Sequence, residues 1–181
     1  MITELYTSLI TKVASILDSN NKPLFKNVYV FNDDYRRMLD PKKTGTWLTP
    51  SCFIEMTYNK AINVGRGLNG IYITYTFHII HQQLNAPPSY TINGVNNNTN
   101  LSMDQNLYIF KLRDSLHKTI QGFTPIAEAG PLRYVTEKQS YNHSNLYEYK
   151  IMYQDHVFDT TAYDTGMTAS VGLSFSQNYI V

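Results

Sequence analysis

The residues of this chain that could do chemistry are a few histidines, one cysteine and some acidic pairs, and their spacing speaks against a reactive centre. His78-Ile79-Ile80-His81 suggests a metal site, but positions three apart on a strand face opposite ways, so both rings cannot reach one ion. His117, His143 and His156 are scattered, and no His-Glu-x-x-His string is present. The expectation is surface or hydrogen-bonded histidine and no metal. Cys52 sits in the apolar start of a strand, where a thiol packs as a small hydrophobe and its thiolate is disfavoured. Glu55 is expected to share its face and would raise the thiol further. Asp33-Asp34 beside Arg36-Arg37 reads as a solvated charge cluster, and Asp155 and Asp159 flank a strand end with no evident partner. Without a P-loop, a Gly-x-Ser-x-Gly elbow or a Cys/His cluster, the sequence predicts no enzyme, no catalytic residue and no cofactor.

Two further strings need a physical test. Gly65-Arg66-Gly67-Leu68-Asn69-Gly70 fits the dinucleotide fingerprint, whose mechanism requires a helix N-terminus after the loop. Here Ile71-Tyr72-Ile73-Thr74-Tyr75 follows, which is strand, so a flexible or tight hairpin connection is expected instead. Arg36, Arg37, Lys42 and Lys43 make one basic loop. It suits an acidic neighbour across an interface better than DNA phosphates, because only Tyr35 adds an aromatic ring.

Composition narrows the class. The chain has 181 residues, of which 43% are hydrophobic and 16% charged, with net charge +1. That suits one globular domain without a global field for nucleic acid or an acidic membrane. Tyrosine dominates the aromatics, 15 against 8 Phe and 1 Trp, which fits both strands and protein-protein surfaces. Cys52 is alone, so no disulfide can form within the chain and a reducing compartment fits. Met1-Ile2-Thr3-Glu4-Leu5 does not read as a signal peptide, and no apolar run reaches the ~18 residues a membrane span needs. The triplets at Asn97, Asn100 and Asn142 are expected to be chance matches to the glycosylation pattern.

The elements that must carry these residues follow from periodicity. Leu5, Leu9, Val13, Ile16 and Leu17 mark an amphipathic helix over 3–18, with Thr3 as N-cap and Asn20-Asn21 and Pro23 closing it. Strands are expected over 24–31, with Val28 and Val30 on one face, and over 52–58, with a polar loop at 32–46 and another loop at 59–70. The clearest strand is 71–80: Ile71, Ile73, Tyr75, Phe77 and Ile79 point one way, Tyr72, Thr74, Thr76 and His78 the other. After a long loop at 82–101, a second helix spans about 103–121. Its stripe is Ile109, Leu112, Leu116 and Ile120, with a capping box of Ser102 and Gln105 and Gly122 as its C′ residue. Leu132–Ser140 and Leu146–Phe158 form a hairpin turning at Asn142-His143-Ser144. The tail, 159–181, ends in a strand pattern in which Ala169, Val171, Leu173 and Phe175 alternate with small residues. The expected class is α+β, an antiparallel sheet of about four to five strands with two helices packed on one face. The expected organisation is a domain over 1–158 and a C-terminal arm over 159–181 that pairs with its own sheet or a neighbour's.

This element order resembles a known group. A helix and a strand precede Trp47-Leu48-Thr49-Pro50-Ser51-Cys52-Phe53-Ile54-Glu55-Met56, and a long strand from Gly70 to His81, a helix and a hairpin come after it. The whole looks like the tail-terminator and tail-completion proteins of tailed bacteriophages, and its Asn- and Tyr-rich style is similar to that of crAss-like phages. The resemblance covers roughly residues 1–158; the loop at 82–101 and the tail depart from it. It implies a structural virion protein without catalytic residues, forming a homo-oligomeric ring of about six or twelve copies around the DNA channel. The partners implied are portal, adjacent ring or tail proteins, and passing genomic DNA contacted without sequence specificity. Arg36, Arg37, Lys42, Lys43, Arg66, Asn69, Pro87, Pro88, Val171, Leu173 and Phe175 are the candidate interface or channel residues. The competing readings are another virion part (tail tube, capsid decoration or cargo) and a small cytosolic enzyme or ligand-binding domain, which would need a deep pocket with convergent polar groups.

Overall fold

A computed structural model describes residues 1–32, 49–65, 68–82, 99–143 and 146–159. The elements run α1 (Ile2–Ala14), β1 (Asn27–Val30), β2 (Ser51–Gly65), β3 (Leu68–Gln82), α2 (Thr99–Ile120), β4 (Arg133–His143) and β5 (Leu146–Asp159). The strands form one sheet in the order β1-β2-β3-β5-β4, and the class is α+β. Three pairings are antiparallel; β1 is parallel to β2, with Asn27 opposite Ser51 and Val30 opposite Ile54. The sheet is therefore mixed and not purely antiparallel. Parallel pairing requires the chain to return to the same end of the sheet between β1 and β2, a choice that strand periodicity does not reveal.

Both helices lie on one face. The α1 stripe of Leu5, Leu9 and Val13 and the α2 stripe of Ile109, Leu112, Leu116 and Ile120 bury against Cys52, Ile54, Ile73, Tyr75, Phe77, Ile79, Ile151, Tyr153 and Val157. Spacings of three and four bring the helical residues onto one side, and period-two alternation does the same for the strands. Ser8 Oγ donates to the Pro125 carbonyl at 2.6 Å and ties α1 to the segment after α2. Arg113 on α2 donates from Nε and Nη2 to Glu137 Oε2 on β4, at 2.8 and 2.6 Å. Gly122 takes φ +77° just past α2, the left-handed conformation that ends a helix most readily at glycine.

Several boundaries move. α1 begins after Met1 with no side-chain cap and stops at Ala14, so Thr3 lies inside the helix and Leu17 is exposed beyond it. The Asp18 carboxylate then accepts the N–H groups of Asn20 and Lys22 and builds the turn. α2 begins at Thr99, which puts Ser102 and Gln105 inside the helix and not at its cap. The largest change is at 59–70, expected as a loop. β2 runs on to Gly65 and β3 starts at Leu68, so strand lies on both sides of residues 66–67, which fall outside the described residues. Register shifts between Tyr58 and Lys60, and between Asn63 and Gly65, interrupt the alternation that would have marked this stretch as strand. Likewise β4 continues through Asn142 to His143, three residues past the expected end.

Candidate functional site

The alternation of β3 puts His78 on the side of the sheet away from the helices and His81 on the helix side, as their spacing predicts. His78 is nevertheless fully buried. Its Nδ1 lies 2.8 Å from Glu148 Oε1 on β5, and its Nε2 lies 3.0 Å from Glu55 Oε2 on β2. Phe31 stacks flat on the ring at a centroid distance of 4.0 Å. When both carboxylates are ionised they only accept, so both bonds form when each ring nitrogen carries a proton. Lys150 Nζ stands 3.5 Å from the same Glu148 oxygen. Burial pushes the Glu148 carboxyl up, but the hydrogen bond from His78 and the Lys150 charge together outweigh it and hold the group below its ordinary value. Around this chain of charges Ser51, Phe53 and Ile80 are buried too, so this end of the sheet is closed on both faces. Among the described residues each ring nitrogen of His78 has a carboxylate partner.

A second buried group sits on the helix side. Asp155 on β5 is 7% exposed and pairs in register with Ile73, diagonal to Tyr75. Its Oδ1 accepts the His156 N–H, while the Gly130 N–H, which donates to the His156 carbonyl at 3.1 Å, lies close enough to lower the carboxyl. A Cβ on Gly130 would stand 2.8 Å from Oδ1, so glycine is what lets the backbone come this close. Asp155 Oδ2 and the Tyr75 hydroxyl make no hydrogen bond among the described residues. Desolvation lifts the Asp155 carboxyl to about 6 in spite of those N–H donors and the charge of Arg133. Burial, with Asp155 and Tyr58 nearby, also raises the Tyr75 phenol.

Cys52 is fully buried against the helices, and burial alone pushes its thiol well up. It packs as the small hydrophobe expected. Glu55, expected on its face, lies on the other one, because three steps along a strand reverse the side. Among the described residues no group of three His, Cys, Asp or Glu side chains could hold a metal ion, and no helix is long and apolar enough to cross a membrane.

Most of the sequence-derived interface residues lie outside the described residues. Arg36, Arg37, Lys42, Lys43, Arg66, Pro87, Pro88, Val171, Leu173 and Phe175 lie outside the described residues. Asn69 lies near the start of β3, opposite Asn63 of β2 and Asp159 of β5. The surface features that remain are strand edges. Among the described residues β1 pairs with β2 from Ser51 to Ile54, and beyond Met56 residues 57–62 are all exposed, including Tyr58 at 46% and Ile62 at 41%. On the opposite edge β4 exposes Tyr134 and Val135. No family model matches the sequence, and no curated protein matches it. The residues that sequence reasoning missed, Glu148 and Gly130 above all, owe their roles to register. Glu148 belongs to the mostly polar outward set Glu148, Lys150, Met152 and Gln154, so nothing in the alternation marked it as buried.

Proposed function

We propose that this chain is a structural virion protein of a tailed bacteriophage, closing with copies of itself into a ring in the head-tail connector around the DNA channel. The observation that carries this reading is the pair of exposed strand edges, β2 from Thr57 to Ile62 and β4 around Tyr134 and Val135. Exposed edges with large side chains invite pairing with another chain, and native proteins keep them blunt or use them. A subunit with an edge at each side of its sheet can join head to tail, and such contacts close into rings when the rotation fits. Tyrosines at the edges suit that role, since each buries a large apolar ring while keeping its hydroxyl wet. The element order of the tail-terminator and tail-completion proteins supports the same reading. In it the protein is not an enzyme; it is assembled in the host cytoplasm and resides in the virion. It contacts portal, adjacent ring or tail proteins, and DNA passes through without sequence-specific contacts.

Mass photometry and negative-stain microscopy of the purified chain, alone and mixed with portal and neck proteins of the same phage, test the proposal. Rings of about six or twelve copies in either setting are expected. A chain that stays monomeric in both overturns it.

A further inference from the structure

We infer that the exposed edge of β2 between Thr57 and Ile62 is a docking strand for the C-terminal segment Ala169–Ser176 of a second copy, which adds there as an extra β-strand. This rests on the ring-subunit reading and names the contact that would close the ring.

The template is well held. On its inner side β2 pairs with β3 as far as Gly65, and β3 pairs with β5 along nearly its whole length. On its outer side β1 ends opposite Ile54, and the Met56 N–H is directed to the Tyr6 hydroxyl. From Thr57 to Ile62 every residue is exposed, and among the described residues no strand pairs there on that side. Lys60 and the register shift after Tyr58 discourage indiscriminate edge-to-edge pairing. A dedicated partner strand is then needed to use this edge.

The tail has the right origin and chemistry. β5 ends at Asp159, opposite Asn69, which is itself opposite Asn63 of β2. The chain therefore leaves the sheet at the same end as the exposed stretch of β2, with residues 160–181 still to run. Residues 166–181 contain no Asp, Glu, Lys or Arg, and Ala169, Val171, Leu173 and Phe175 alternate with Ser170, Gly172, Ser174 and Ser176. An uncharged alternating segment meets an edge whose one charge is Lys60, so no like-charge repulsion opposes pairing. Main-chain hydrogen bonds supply the affinity in strand addition, and alternate side chains supply the fit. Pairing with a neighbour's edge makes the contact heterologous, the kind that closes a ring, and the cross-linking below separates it from pairing with the chain's own edge.

The test uses full-length protein and disulfide trapping, with buried Cys52 as the only native thiol. One preparation carries Tyr58→Cys; the other carries Val171→Cys, Gly172→Cys or Leu173→Cys, which sample both faces of the added strand. On mild oxidation the mixture is expected to give a disulfide-linked heterodimer that neither preparation gives alone. A chain carrying both substitutions that closes only on itself, or no cross-link with any of the three, overturns the inference. Mass photometry on the same samples separates the two ideas. Rings without cross-links remove this contact and leave the ring intact, whereas loss of both removes both.

Discussion

His78 and Asp155 are both ionisable groups buried by the same sheet, and the sheet treats them in opposite ways. His78, on the face away from the helices, has a carboxylate at each ring nitrogen and a stacked Phe31. Asp155, on the helix face, accepts the His156 N–H at Oδ1, its Oδ2 has no hydrogen-bond partner among the described residues, and its carboxyl is lifted to about 6. Burial penalises charge in both places. Carboxylates in register give both ring nitrogens of His78 a partner, whereas at Asp155 desolvation outweighs the N–H donors and raises the carboxyl.

The strongest way to break this contrast is His78→Leu, which leaves buried Glu148 with Lys150 as its remaining charged partner among the described residues. Removing one partner of a buried ion pair costs about 3–5 kcal/mol, and urea denaturation should show a loss of that order. If His78→Leu is neutral, the charges are not held by one another. Asp155→Asn should act through pH. Asp155 has a raised folded-state value, so between about 4 and 6 the native state binds more protons than the unfolded one and stability falls as pH rises. Asn keeps the oxygen that accepts the N–H groups and cannot ionise. The variant should therefore lose that slope, gaining up to roughly 2–3 kcal/mol at neutral pH. Thermal melts between pH 4 and 8 measure this directly.

Gly130→Ala sharpens the same site, because its methyl group would press on an oxygen that buried surroundings hold in place. A loss of about 1–3 kcal/mol is expected, and pairing it with Asp155→Ser should recover part of it. Glu148 supplies the opposite pH limb: its value is lowered, so its stabilisation is present at neutral pH and is lost as pH falls below the ordinary Glu range. Glu148→Gln should flatten the acid side of the stability curve. The smallest effect belongs to Glu55→Gln, since Glu55 is 42% exposed and water shares its bond to His78. A change under about 1 kcal/mol is expected for that pair.

Much of the architecture can be read from residue spacing. The inward set Ile71, Ile73, Tyr75, Phe77 and Ile79 holds throughout β3, and all but half-buried Ile71 are fully buried. The α2 stripe and the Gly122 terminus hold as well, and so does the β4-β5 hairpin. The stretch 59–65 was illegible as strand because its register shifts break period two and its composition is polar. Ser102 and Gln105 resemble a cap locally, but the helix continues to Thr99. Alternation places Tyr72, Thr74, Thr76 and His78 on the opposite face of β3. At its His78 end it is sealed, since alternation reports which side a residue faces and not what lies over that side.

Local chemistry thus determined the helices, most strand segments, the strand that follows the glycine string and the apolar setting of Cys52. Those depend on periodicities of 3.6 and 2 and on backbone preferences that each residue carries with it. Only the folded chain decided that β1 runs parallel to β2, that β5 lies between β3 and β4, and that Glu55 and Glu148 flank His78. Partners drawn from strands 23 and 70 residues away meet through register, and register is set by the packing of the whole sheet.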